Sequence, residues 1–190
     1  MTSLLTLTNK DKKNRVIIVV LMIVLFIGLT NMFNNYRYKV DHGMKMTVES
    51  IAGHSLFMVR STYDSILENE TGTLTIEHIR EIHTKLSVIE AYSDTVGRSV
   101  NTQLLTPITK DLKTISENMQ QSYIENKQFT EADGTKYQTL LKKITALIPL
   151  IDKVYYVSDR YGPKVTLNVN HKEELVKFRE TLKKYVSTLK

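Results

Sequence analysis

Five histidines are the side chains of this sequence best suited to proton transfer or metal binding: His42, His54, His78, His83 and His171. His78 and His83 share a stretch with Glu77 and Glu81, which invites a metal reading. Carboxylate metal sites inside helical bundles use Glu-x-x-His, three residues apart and projecting inward. That spacing occurs nowhere in the chain. His78 and His83 instead flank Ile79 and Ile82, the positions of boundary residues beside an apolar seam. The absence of cysteine removes thiol nucleophiles, disulfides and cysteine metal sites together. No Gly-rich phosphate loop, His-Glu-x-x-His helix, G-x-S-x-G elbow or calcium loop is present. The expectation is a protein that is not an enzyme and carries no catalytic residues, metal or cofactor.

The remaining function classes depend on which solvent the chain meets. From Val16 to Leu29 every residue is apolar apart from Gly28, and extension to Phe33 gives 18 residues. At 1.5 Å per residue that helix is roughly 27 Å long, close to a hydrocarbon core of about 30 Å. A core helix of a soluble protein would show a polar stripe within two turns, and none is present. A basic segment followed by an apolar run also has the proportions of a secretory leader. Gly28-Leu29-Thr30-Asn31-Met32-Phe33, however, offers no small-x-small cleavage site. The segment therefore reads as an uncleaved signal-anchor, with Val16, Ile17, Leu21, Leu25, Phe26, Leu29 and Phe33 facing lipid.

Residues 1–15 form a short basic tail of net charge +3, from Lys10, Lys12, Lys13 and Arg15 against Asp11. Arg37, Lys39 and Lys45 follow the span, so the charge difference across it is small. Basic crowding before the span, and Tyr36 and Tyr38 at the opposite headgroup level, favour a cytoplasmic N-terminus with residues 34–190 outside. The predicted location is the cell membrane, single-pass.

Residues 34–190 carry the 3.6-residue period of an all-α fold, a bundle of four to five helices. The first apolar stripe runs Met44, Val48, Ile51, Ser55, Met58, Thr62, Ile66, and its helix ends near Glu68 before a turn at Gly72. No breaker separates this helix from the span. The second stripe, Ile79, Ile82, Leu86, Ile89, Ser93, Val96, Val100, keeps an a/d alternation for three heptads. Thr73 or Thr75 can cap its start. Thr106 and Pro107 read as N-cap and N1 of a third helix on Ile108, Leu112, Ile115, Met119 and Tyr123. A fourth helix opens at one of two rival capping pairs, Thr130 with Asp133 or Thr135 with Gln138. It carries the widest apolar face, from Tyr137 to Tyr155, with Pro149 inside it. Asn170 and Glu173 form a capping pair for a last helix on Leu175, Phe178, Leu182, Tyr185 and Leu189.

Between the last two helices "KVTLNVN" alternates with a period of two, predicting one short extended segment over 164–169 with no evident sheet partner. Val165, Leu167 and Val169 are the candidate contacts should that segment add to a partner's sheet edge. Packing on the bundle itself is the simpler reading. Asn69-Glu70-Thr71 is a glycosylation triplet in a predicted turn. Residues 142–190 hold 11 Lys or Arg against 5 acids, a basic region able to meet anionic lipid or wall polymer. Nucleic acid is not an expected partner.

Together these features predict a single-pass, membrane-anchored helical bundle of the cell envelope. It would act by protein–protein interaction, with other envelope or membrane proteins or with itself. Two alternatives share the layout: an outer ligand-sensing domain signalling through a partner, and a lysis or permeabilisation factor acting on the membrane.

Overall fold

The computed structural model describes residues 9–69, 74–160, 162–169 and 171–189. It is all-helical apart from one small sheet. The elements are α1 (Asn9–Glu68), α2 (Ile76–Ser99), α3 (Leu105–Asn126), α4 (Glu131–Tyr155), β1 (Tyr156–Asp159), β2 (Gly162–Val165) and α5 (Lys172–Ser187). The chain divides into two compact units, Met1–Met46 and Thr47–Lys190. In the first, every side chain from Asn14 to Met46 is exposed.

The second unit is the bundle. α2 and α3 are joined by five residues, and their side-chain partners run in opposite senses. Glu90 meets Lys113, while Ser93, further along α2, meets Thr109, earlier in α3. They are therefore antiparallel neighbours, as a short connection requires. α4 and α5 are antiparallel by the same test, from Lys153 with Glu174 and Lys143 with Phe178. The core is continuous. α2 buries Ile79, Ile82, Leu86, Ile89 and Val96, and α3 buries Ile108, Leu112, Ile115 and Met119. Each such side chain contributes about 1.5–3 kcal/mol of apolar burial.

The stripe expected on α1 is wrong in phase. Ala52, Ser55, Leu56, Val59, Tyr63 and Ile66 are buried, whereas Met44 and Ile51 are exposed and Met58 and Thr62 only half-buried. Two stripes of three-and-four spacing overlap on this helix and share Ser55 and Ile66. The bundle takes the one with Leu56, Val59 and Tyr63, which removes more carbon surface from water.

Local signals decide the helix ends unevenly. Thr75 caps α2 by accepting from the His78 N–H; Gly72 and Thr73 lie outside the described residues. α3 begins earlier than expected, at Leu105, with Leu104 at the N-cap and no side-chain cap. Thr106 instead donates to Gln103 Oε1 at 3.0 Å. α4 opens on the first of its rival pairs, a reciprocal capping box between Thr130 and Asp133. Pro149 lies within α4, so the Thr145 carbonyl lacks its usual donor. α5 starts after His171 in the left-handed region (φ 52°), and Asn170, the expected cap, lies outside the described residues.

The extended segment differs most from expectation. β2 pairs antiparallel with β1 in the register Tyr156 to Val165, Val157 to Lys164, Ser158 to Pro163 and Asp159 to Gly162. The strand period read at 164–169 is real only at its first two residues. The sheet partner, Tyr156 onward, was hidden because Tyr155 and Tyr156 continue the apolar face of α4. A left-handed Gly162 (φ 116°) closes the hairpin, a conformation that a Cβ would strain.

Two buried tyrosines contrast. Tyr63 reaches Thr109 Oγ1 at 3.1 Å, and Thr109 lies 3.4 Å from Ser93 Oγ, so hydroxyls of α1, α2 and α3 meet inside the core. Burial raises the Tyr63 phenol above its ordinary range, and the Thr109 bond opposes this in part. The Tyr155 hydroxyl is enclosed with no partner among the described residues. Tyr63→Phe is therefore expected to destabilise the bundle by about 1 kcal/mol. Tyr155→Phe should be neutral or stabilising by up to about 1 kcal/mol, because it removes an unmet polar group. Urea unfolding of the detergent-solubilised full chain checks both. Equal losses from the two variants would contradict the assignment.

Candidate functional site

The histidines are dispersed. His78 Nε2 lies 2.9 Å from the Tyr137 hydroxyl and is buried, closer to the core than the boundary position expected. His83 Nδ1 lies 3.2 Å from Ser116 Oγ and is half-buried. His54 packs edge-on against Tyr92, and His42 stacks on Tyr38. Among the described residues no three His, Asp or Glu side chains converge as metal ligands.

The sharpest electrostatic site belongs to the fold. Asp133 is completely buried, yet it accepts from Ser122 Oγ (2.7 Å), the Thr130 N–H (2.9 Å), Thr130 Oγ1 (2.7 Å) and Lys136 Nζ (2.9 Å). Burial pushes its carboxyl up, but these donors outweigh burial and hold it at about 2. With both oxygens occupied and no exposed face, the group caps α4 and ties it to the end of α3.

Among the described residues two kinds of exposed surface stand out, one apolar and one basic. One is the apolar stretch of α1. Among the residues read as lipid-facing, Phe26 is 71% exposed and even Ile17 is 47% exposed; Val16, Leu21, Leu25, Leu29 and Phe33 lie between. No other helix of the described residues is long and apolar enough to cross a membrane, and the most apolar 18 residues of this one have a mean hydropathy of 2.8. The Thr30 hydroxyl donates to the Phe26 carbonyl at 2.8 Å, so this side chain presents no unmet donor. Arg37 lies over the Phe33 ring at 5.8 Å.

The other surface is the groove between α4 and α5, about 320 Å³, bordered by Lys142, Lys143, Ala146, Lys177, Phe178 and Thr181. Lys143 sits over the Phe178 ring at 5.8 Å. Glu174 also borders the groove, but Lys153 meets it at 2.6 Å and holds its carboxyl below the usual range. A second hollow, about 200 Å³, lies between α5 and Gln103-Leu104 and is bordered by Arg179, Glu180 and Lys183. Composition had flagged the basic region; its concentration into a groove needed the α4–α5 pairing.

Val165, Leu167 and Val169 lie against the bundle. Val165 is buried, within 3.5 Å of where a Cβ on Gly53 would stand, and Leu167 and Val169 are half-buried on the core. Asn69 is exposed, while Glu70 and Thr71 of its triplet lie outside the described residues. No protein family, curated protein or solved structure matches the chain.

Asp133→Ala is expected to cost about 2 kcal/mol at neutral pH. Its folded carboxyl titrates below the unfolded one, so this contribution is complete above roughly pH 5 and fades as pH falls towards 2. Unfolding curves of wild type and variant should converge across that window. A gap that stays constant down to pH 2 would exclude the charged cap as its source.

Proposed function

We propose that this chain is a single-pass membrane protein of the cell envelope, acting by binding rather than catalysis. Residues 16–33 cross the bilayer as a signal-anchor, the N-terminus is cytoplasmic and residues 34–190 are outside. The observation that carries the reading is the full exposure of an unbroken apolar helix, from Val16 to Phe33. Left in water, such a surface far exceeds the few hundred Å² of contiguous apolar patch usual on a soluble monomer. Hydrocarbon is the solvent that matches it on every side, because all of its backbone bonds are made within the helix.

The heptad stripe of α2 is consumed by the core of its own bundle, so association has to use the outer surface. That surface offers isolated apolar side chains such as Phe57, 62% exposed, and the basic groove beside α5. The partners are other envelope or membrane proteins, or a second copy of the chain.

The lack of cysteine makes a clean topology test possible. Asn9→Cys and Ser187→Cys, made singly, are exposed to a membrane-impermeant maleimide on intact cells. Labelling of Ser187→Cys without lysis, and of Asn9→Cys only after lysis, is the expected result; the reverse would overturn the orientation. Leu21→Arg with Leu25→Arg should release the chain from alkali-washed membranes, since each arginine at mid-bilayer costs about 2.5–3.5 kcal/mol. Crosslinking of the full chain in its native membrane should recover a defined protein partner or a dimer. Recovery of neither would remove the binding role.

A further inference from the structure

The cations of the bundle are divided between two regimes. On α2, α3 and the start of α4 most of them meet a carboxylate: Lys85 meets Glu81, Arg98 meets Asp94, Lys113 and more distantly Lys110 share Glu90, and Lys136 meets Asp133. Among the described residues that border the α4–α5 groove the only carboxylate is Glu174, and Lys153 already closes on it. Lys142 and Lys143 border this hollow with no carboxylate in contact among the described residues, and Lys177 beside them shares Glu174 with Lys153 at longer range. Like charges gathered in this way repel one another, and a nearby anion relieves the repulsion. Their stems, with Ala146 and the Phe178 ring, give the same hollow a mostly apolar floor.

We propose that the α4–α5 groove docks an acidic, amphipathic segment of a partner protein, its carboxylates on Lys142, Lys143 and Lys177 and its apolar side chains on Phe178. The proposal rests on the reading that the chain works by protein binding, and it names the surface. Both features of the groove are used by such a segment. A phosphate polymer meets the charges but leaves the apolar floor bare. A flat anionic bilayer would meet the exposed Lys172, Arg179, Lys183 and Lys184 of α5 as readily and would leave the floor of the hollow untouched. A hollow of about 320 Å³ admits one or two side chains, the scale of an anchored segment rather than a folded domain.

The test uses the full chain in neutral detergent and a fluorescent peptide of about 14 residues, four helical turns, carrying glutamates on one face and leucines on the other. Saturable binding is expected. Lys142→Glu with Lys177→Glu, both exposed positions, should weaken it about tenfold, a change of about 1.4 kcal/mol. Phe178→Ala should weaken it several-fold even at high salt, which screens the charges but not the apolar contact. Arg179→Glu with Lys183→Glu, on the other flank of α5, should leave it within twofold, and unaltered circular dichroism shows that each variant is folded. No binding, or equal loss from the two charge-reversal pairs, overturns the groove. So does equally tight binding of inorganic polyphosphate or of vesicles rich in anionic phospholipid. If the native-membrane crosslink persists in Lys142→Glu with Lys177→Glu, the groove is wrong but protein binding stands; if wild type yields no crosslink, the underlying reading fails instead.

Discussion

Tyr63 is among the largest side chains fully enclosed in the bundle, and its hydroxyl has to be met there by protein. A buried hydroxyl without a partner costs about 1–3 kcal/mol, so the requirement constrains the geometry around it. Thr109 satisfies it from α3, bonding back to the Leu105 carbonyl at 3.1 Å, and Ser93 approaches from α2. Three helices therefore share one polar point inside an apolar core. Hydrocarbon contacts tolerate sliding by part of a turn, whereas a chain of hydroxyls does not. The phase of α1 follows, since placing Tyr63 inside brings Leu56, Val59 and Ile66 with it and turns Ile51 outward.

Charge completes what packing begins. The α3–α4 corner closes on Asp133, whose carboxylate collects donors from the end of one helix and from the N-cap and second turn of the next. Across the α1–α4 contact, Arg60 meets Asp152 at 3.0 Å, and Lys164 reaches Glu49 at 3.5 Å from the hairpin. These exposed pairs are worth little individually, about 0–1 kcal/mol. Their distribution is more informative than their strength. Asp111 faces Arg179 and Lys183 without a direct bond; burial raises its carboxyl and the two cations only partly offset that. α5 thus meets α3 through incomplete charge compensation, which leaves its basic side chains available to solvent.

The sequence was most legible where one signal acted alone. The α2 seam and the α3 stripe each had a single periodicity and are buried where it puts them, and the uniformly apolar run at Val16–Phe33 forms one exposed stretch of helix. Legibility failed where two local readings were near equal. On α1 two stripes shared residues, and what separated them was the tertiary packing of Leu56, Val59 and Tyr63, with the partner that Tyr63 finds on α3. At α3, Thr106-Pro107 is a sound start signal, yet burial of Leu105 draws the helix back to it. The hairpin was missed because a strand is defined by its partner, and β1 is disguised as the tail of α4. The basic groove was half legible. Counting charge identified the region, but which cations lack carboxylates is a property of helix pairing, and a one-dimensional charge pattern does not contain it.

The hairpin has one more consequence, which concerns polymerisation. A two-stranded sheet leaves an unpaired outer edge on each strand, and such edges can template strands from neighbouring molecules. With Asp159 and Gly162 as the closing pair, the backbone alternation turns the Pro163 nitrogen away from β1. Proline has no N–H, so that outer edge lacks a donor midway along a strand only four residues long. Lys164 places a charge next to it. Short strands, proline and lysine are the means by which natural sheets discourage edge-to-edge growth. For a chain proposed to be concentrated in the plane of a membrane, where neighbours meet often, the β2 edge of this small sheet is poorly suited to take on a further strand.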